Sequence, residues 1–425
     1  MALVETTPDL AEHVKEFILA DFHPRYGQLA ETFTSSATWR RLRELGTELW
    51  LDTGDIDEAA GLWTREFTAL TTNNTLLNKE VQKGQYDDLI ASAAKMLREY
   101  GLDERRMVLE IAFILNARHA LRLVERFDAY VSVEEHTDLA DDLALAVQTA
   151  KRYHAICPER FIVKLPFTPA GLLATRILSR DGVSVNHTLG FSARQNYAIT
   201  RIGRPAFVNV FLGRLNSVIA DNRLGDGRLV GERATLASQR AVRMLRRARN
   251  APTRQIGASF REGPQVRDLA GINVMTLPPK VARQFLDMGL PPASITDRTG
   301  QDLRTTFAPG VDERALRINS LWEIDQPLVR CLDDLERENL DSFAPADLVR
   351  FFAGHGCRDF LPDWSADQRA RSLAEGKIPR IDNWRSELSS GACAMDSLMN
   401  LAGLGSFIAD QKAMDDRVRG VLARK

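Results

Sequence analysis

The run FIVKLPFTPAG, residues 161–171, sets one lysine, Lys164, among Phe161, Ile162, Val163 and Leu165. Burying an ammonium group is costly unless it is paired or neutralised. A dry pocket disfavours the charged form of a lysine. A neutral amine held there can attack a carbonyl and form a Schiff base. The iminium is then an electron sink, and the neighbouring carbon–carbon bond can break. Such a step needs an acid/base group for its proton transfers, and Glu134 or Asp52 can supply it. Asn73, Asn186 and Thr188 can hydrogen-bond hydroxyls or orient a water. Arg214, Ser259 and Arg261 would form a compact anion site, because guanidinium forks match phosphate oxygens. Taken singly, each has a plainer use: charges at strand ends, Asn and Thr in turns, arginines in surface ion pairs.

What must position these residues is a set of short β-rich runs. They are 48–54, 67–73, 129–135, 161–166, 183–189, 206–213, 255–260 and 272–278. Helical stretches such as QYDDLIASAAKMLREYG, DLADDLALAVQTAKRYH and ERATLASQRAVRMLRRARN lie between them, and 102–115 also suits a helix. Strand–helix alternation argues for a parallel sheet, and eight such units predict a closed (β/α)8 (TIM) barrel. The open doubly wound competitor lacks its glycine fingerprint here.

Side chains along a barrel strand alternate between the lumen and the helices. Asp52 shares a face with Trp50, Thr71 with Asn73, Ser132 with Glu134, Ile162 with Lys164, Asn186 with Thr188, and Asn209 with Phe211. Ser259 lies on the seventh run, with Arg261 two residues on. These polar residues sit at or near the C-terminal ends of their runs, where barrel enzymes build active sites. His187 has the opposite parity and is expected to face the helices.

The remaining organisation is coarser. Residues 8–46 read as helical, with Gly46 ending the second segment, and 1–46 form an N-terminal helical extension. The barrel occupies 47–289, and 290–388 form an added helical subdomain with helical stretches at 312–336 and 345–356. Residues 389–425 carry a C-terminal helix packing on the barrel.

A net charge of −1 gives no overall field for nucleic acid or an anionic membrane, and no apolar stretch is long enough for a bilayer span. Cys157, Cys331, Cys357 and Cys393 form no CxxC pair and read as free thiols of a reducing compartment. With no apolar leader in MALVETTPDLAEH, a cytoplasmic protein is expected. His136, His154 and His187 make no metal set. The arginines 240, 243, 246 and 247 read as a solvated face, and Trp322, Val329 and Leu332 as subdomain core.

In combination and in order, LDTGDI (51–56), TTNNTLL (71–77), VSVEE (131–135), VKLPFTPAG (163–171), VNHTLGFS (185–192), FLGR (211–214) and GASFR (257–261) resemble the transaldolase family. So does the final helix, from Ala394-Met395 through Phe407 to Asp410-Gln411. The resemblance covers roughly 48–288 and 390–425. It implies that Lys164 is the Schiff-base lysine and Glu134 the acid/base, working through a water held by Thr188. It implies that Asp52 helps proton transfer at the sugar hydroxyl. By the same resemblance Asn73 and Asn186 position substrate and amine, and Arg214, Ser259 and Arg261 bind phosphate. Phe211 matches the aromatic of transaldolases proper, where aldolase-like relatives carry tyrosine. Asn209 stands where a serine commonly contacts substrate, and Asn74 stands in place of a proline. Gly190 and His187 replace bulkier apolar residues.

The resemblance thus implies transfer of a dihydroxyacetone unit from a ketose phosphate, such as sedoheptulose 7-phosphate or fructose 6-phosphate, to an aldose phosphate. Sugar phosphates are the partners, no metal or organic cofactor is needed, and a homodimer is left open. The rival readings are a lysine aldolase on another sugar phosphate and a non-catalytic sugar-phosphate sensor.

Overall fold

A computed structural model describes residues 5–24, 26–27 and 33–424. Its strands are β1 (Glu48–Asp52), β2 (Phe67–Thr71), β3 (Tyr130–Glu134), β4 (Phe161–Pro166), β5 (Val185–Thr188), β6 (Phe207–Phe211), β7 (Arg254–Ala258) and β8 (Val274–Leu277). All neighbours are parallel, and the sheet closes in chain order with β8 pairing back to β1. This is the expected (β/α)8 barrel. Its short strands are apolar on both faces because helices cover the outside and side chains fill the lumen. Trp50 packs edge-on against Phe207 in the lumen, with ring centroids 4.8 Å apart.

Register carries the polar ends to one level. Glu134 pairs with Lys164 and Lys164 with Asn186, so three adjacent strands present their lumen residues side by side. Asp52 pairs with Thr71 in the same way. His187 takes the outward course expected from its parity: its Nδ1 lies 2.9 Å from Thr175 Oγ1 on the covering helix.

The two helical segments expected within 8–46 are the helices Pro8–Leu19 and Ala37–Glu44. Pro24 lacks an N–H and disfavours helix at His23, which stops continuation from the first. Residues 25 and 28–32 of that expectation lie outside the described residues. Gly46, at φ +91°, ends the second helix as its spacing suggests. The stretch 102–115 is helix, as read, from Glu104 onward, within Glu104–Phe127 capped by Asp103.

The 312–336 stretch is likewise broken. A short 3-10 turn, Ile318–Leu321, precedes the helix Gln326–Leu335, whose start is fixed by the Asp325 side chain accepting from Leu328 N–H and by Pro327 in the first turn. Another helix, Ala366–Glu375, starts after Ser365, which caps it reciprocally with Gln368 of its first turn. Apolar residues of this part, Ile318, Leu328, Leu332 and Trp384, join one core cluster with Val208, Val210 and Leu215 of the barrel. The last helix, Met395–Leu422, belongs to the same cluster through Leu398, Met399 and Phe407.

Arg194 bolts that last helix down. Its Nε and Nη2 each donate to Asp396 at 2.7 Å, and its Nη1 donates to Asp359 at 3.0 Å. Among the described residues, no helix is long and apolar enough to cross a membrane.

Candidate active site

The C-terminal ends of the strands surround an open cavity of about 460 Å³. It is lined by Asp52, Asn73, Lys164, Asn186, Asn209, Phe211, Arg214, Ser259 and Arg261, so nine of the sequence-chosen residues converge there. Glu134 lines a smaller adjoining cavity, and Phe407 borders both. Thr188 lines neither; it is fully buried, and its Oγ1 has no hydrogen-bond partner.

Lys164 is 4 % exposed. Its Nζ donates to the Thr72 carbonyl at 3.2 Å and lies 3.8 Å from Glu134 Oε2. The Phe407 ring, from the last helix, has its centroid 6.0 Å from that nitrogen. The amine is therefore held between β2, β3 and an aromatic cover, within reach of one carboxylate.

Both carboxyls sit above the ordinary carboxylate range. Burial pushes Glu134 up, against the pull of Lys164, the Asn74 N–H and Arg214. Burial likewise pushes Asp52 up, against Lys164 and the Thr71 hydroxyl. Thr71 Oγ1 donates to Asp52 Oδ1 at 2.8 Å and lies 2.7 Å from Thr276 Oγ1, so the strand neighbours fix the aspartate. Raised carboxyl pKa values suit groups that must take and return protons near neutral pH.

The amides form a chain. Asn186 Nδ2 donates to Ser132 Oγ at 3.1 Å, and Asn209 Nδ2 donates to Asn186 Oδ1 at 3.2 Å. Asn209 Oδ1 in turn accepts from Gly190 N–H at 3.3 Å. Asn73 caps the helix Asn74–Gln82, its Oδ1 accepting from Leu76 N–H at 2.9 Å.

The guanidinium side differs. Arg214 is buried, and its Nη1 has no hydrogen-bond partner. Burial pulls its pKa down to about 10, and Arg261 adds in the same direction. Ser259 adopts a left-handed backbone, φ +63°, beyond β7. The Gly213 N–H donates to the Ser259 carbonyl at 3.1 Å, and a Cβ on Gly213 would stand 2.2 Å from that oxygen. The glycine of FLGR is thus a requirement of close approach between the two anion-site segments.

Sequence reasoning missed several liners. Thr276 lies inward on its strand, and parity alone could have found it; Thr71, set beside Asn73 by parity, lines the cavity too. Thr72 acts through its carbonyl, which no side-chain pattern reveals. Lys377 comes from the 290–388 segment and is exposed on the cavity rim, with Lys79 and Asp410 also lining it. Gly376, at φ +79°, turns the chain just before Lys377. Asn222 then holds the segment, donating to the Pro379 carbonyl at 3.0 Å and accepting from Ile381 N–H at 2.8 Å.

A family model described as transaldolase/fructose-6-phosphate aldolase matches residues 49–346. A transaldolase of Xanthomonas euvesicatoria is 31% identical over 255 residues, covering 58% of this chain and 76% of its own. A transaldolase of Methylococcus capsulatus is 24% identical over 322 residues, covering 72% and 96%. One of Yersinia pseudotuberculosis is 26% identical over 254 residues, covering 58% and 78%.

Proposed function

The chain belongs to the transaldolase/fructose-6-phosphate aldolase family, and on that premise we propose that it transfers a three-carbon dihydroxyacetone unit between sugar phosphates through a Schiff base on Lys164. The carrying observation is a buried lysine 3.8 Å from Glu134, lining with Asp52 a cavity whose other wall holds a buried, partnerless Arg214 Nη1. A guanidinium that cannot neutralise itself calls for an anion, and a sugar phosphate brings one.

In this reading the free Lys164 amine attacks the ketone of a ketose phosphate, and loss of water leaves an iminium. Breaking the next carbon–carbon bond sends its electrons into the iminium. The proton of the sugar hydroxyl goes to Asp52, and an aldose phosphate leaves. The remaining enamine attacks the aldehyde of an acceptor aldose phosphate, and water then releases the new ketose. Glu134 handles the protons of iminium formation and hydrolysis through a water that the free Thr188 Oγ1 would hold. Asn73, Asn186 and Asn209 position the substrate hydroxyls, Phe211 walls the cavity, and Arg214, Ser259 and Arg261 take the phosphate. The iminium supplies the electron sink, so the step needs no metal or organic cofactor.

The 290–388 segment in this reading covers part of the mouth and adds Lys377 to its cationic rim. Four buried free cysteines fit a reducing cytoplasm. The donors expected are sedoheptulose 7-phosphate and fructose 6-phosphate, which places the reaction in the pentose phosphate pathway.

Borohydride reduction in the presence of fructose 6-phosphate should leave a three-carbon adduct on Lys164, read by peptide mass spectrometry. Lys164→Arg should fold normally and lose the adduct and turnover. A parent enzyme without adduct, or an active Lys164→Arg, would overturn the mechanism. A simple aldolase is the second reading, favoured by the Asn209 side chain being committed to Asn186 and Gly190. Comparing dihydroxyacetone release with and without an acceptor aldehyde separates the two.

A further inference from the structure

The first N–H groups of a helix have no partner within it and must find one outside. In the helix Asn74–Gln82, the Asn73 side chain satisfies Leu76 N–H. The Asn74 N–H, two positions earlier, donates instead to Glu134 Oε2 at 3.2 Å. This links the start of a barrel helix to the carboxylate that sits 3.8 Å from the Lys164 amine. The same residue's Nδ2 donates to the Glu135 carbonyl at 3.4 Å, so both contacts fasten the end of β3.

We infer that Asn74 is a positioning residue for Glu134: its backbone N–H aims the carboxylate at Lys164 and favours the ionised form. The inference rests on Glu134 acting as the acid/base of the Schiff-base reading. Glu134 is faced by Lys164 from β4, Asp52 from β1 and Arg214 from the segment after β6. Glu135 and His136 border the same small cavity. Lys164 and Arg214 favour the charged carboxylate, while burial and Asp52 oppose it. The Asn74 N–H adds to the favourable side without bringing a charge, and it lies along the positive end of its helix.

The position offers a clean subtraction. Proline is well accepted as the first residue of a helix, and it removes the N–H. Asn73 already has the extended backbone, φ −157° and ψ 171°, that a residue before proline adopts. Asn74→Pro should fold, with the donor to Glu134 deleted. Asn74→Ala deletes the side chain and keeps the donor. If Asn74→Pro folds poorly, an α-hydroxy acid at position 74, which replaces the amide by an ester, removes the same donor with less disturbance.

The readouts are the pH profile of kcat/KM with fructose 6-phosphate and the carbon-13 carboxyl titration of Glu134, assigned with Glu134→Gln. Losing one hydrogen bond to the ionised form should raise the Glu134 titration and the acid limb by about one pH unit. Below that limb, kcat/KM should fall about tenfold. Asn74→Ala should keep the parent titration. An unchanged Glu134 titration in the proline or ester variant would overturn the inference, as would an equal rise in Asn74→Ala. The magnetic-resonance titration needs no turnover. Should no Lys164 adduct form with fructose 6-phosphate, the Schiff-base reading falls while the Asn74 contact is still decided.

Discussion

Two buried arginines near the barrel mouth have opposite surroundings. Arg194 is held by Asp396 and Asp359. Burial alone would lower its pKa, yet these carboxylates outweigh burial and hold it above the ordinary arginine value. Arg214 has only more distant carboxylates, Glu134 and Asp410, and a second guanidinium, Arg261, beside it; burial takes its pKa down to about 10. The first arginine is complete within the fold. The second is left incomplete by the fold, and an arginine cannot escape by giving up its proton near neutral pH. Glu135 makes the contrast sharper. It too is buried with a partnerless oxygen, and burial raises its pKa well above the usual value. A carboxyl can stay protonated, so it needs no ligand. In the proposed reading, the open Arg214 Nη1 is where a substrate phosphate would sit.

The largest expected effect breaks the structural arginine. Arg194→Ala would leave Asp396 buried without its cation and should cost about 3–5 kcal/mol of stability. Chemical denaturation measures this, and a loss below about 1 kcal/mol, typical of an exposed pair, would erase the contrast.

Arg214→Ala should do the reverse. Stability should change little, because the desolvation cost of a buried cation with no close carboxylate is removed along with its contacts to the Phe211 and Phe407 rings. The KM for fructose 6-phosphate should rise about a hundredfold, the worth of two hydrogen bonds to a charged group. Paired KM and melting measurements decide this; a lost melting temperature with unchanged KM would make Arg214 structural.

The smallest effect concerns Glu135→Gln. The folded pKa of Glu135 lies above its unfolded value, so the parent loses stability as pH rises from about 4.3 towards the folded pKa. Glutamine does not titrate. The stability difference in favour of Glu135→Gln should therefore be flat below that window and grow through it. Melting temperatures from acid to neutral pH test this, and a constant difference would show that Glu135 is not held protonated.

Much of this arrangement was legible because parity survives in a closed sheet. A residue two places from another on a strand shares its face whatever the helices do, so Lys164, Asn186 and Asn209 could be set towards one lumen from spacing alone. His187 could be set outwards by the same rule. What stayed hidden acts through the main chain or across long separations. The Thr72 carbonyl and the Asn74 N–H leave no trace in residue type. Asn74 reads as a turn former or as a replaced proline, and neither reading discloses a donor. Lys377 reaches the rim only because Gly376 turns and Asn222 grips the chain, contacts that no periodicity encodes. The helical reading of 312–336 failed for a local reason: Asp325 and Pro327 are a helix start, placed inside a run whose apolar spacing looks continuous.

The aromatic cover over the lysine has a consequence for biosynthesis. Phe407 belongs to the last helix, while the amine beneath it belongs to the fourth strand. All eight strands leave the ribosome before that phenylalanine does. A nascent chain can close its cylinder and still leave the Lys164 amine open to water until Asp396 emerges and meets Arg194. On the Schiff-base proposal, activity would then be a late event of synthesis, and a translation product stopped short of the last helix would own the Lys164 amine without its aromatic roof.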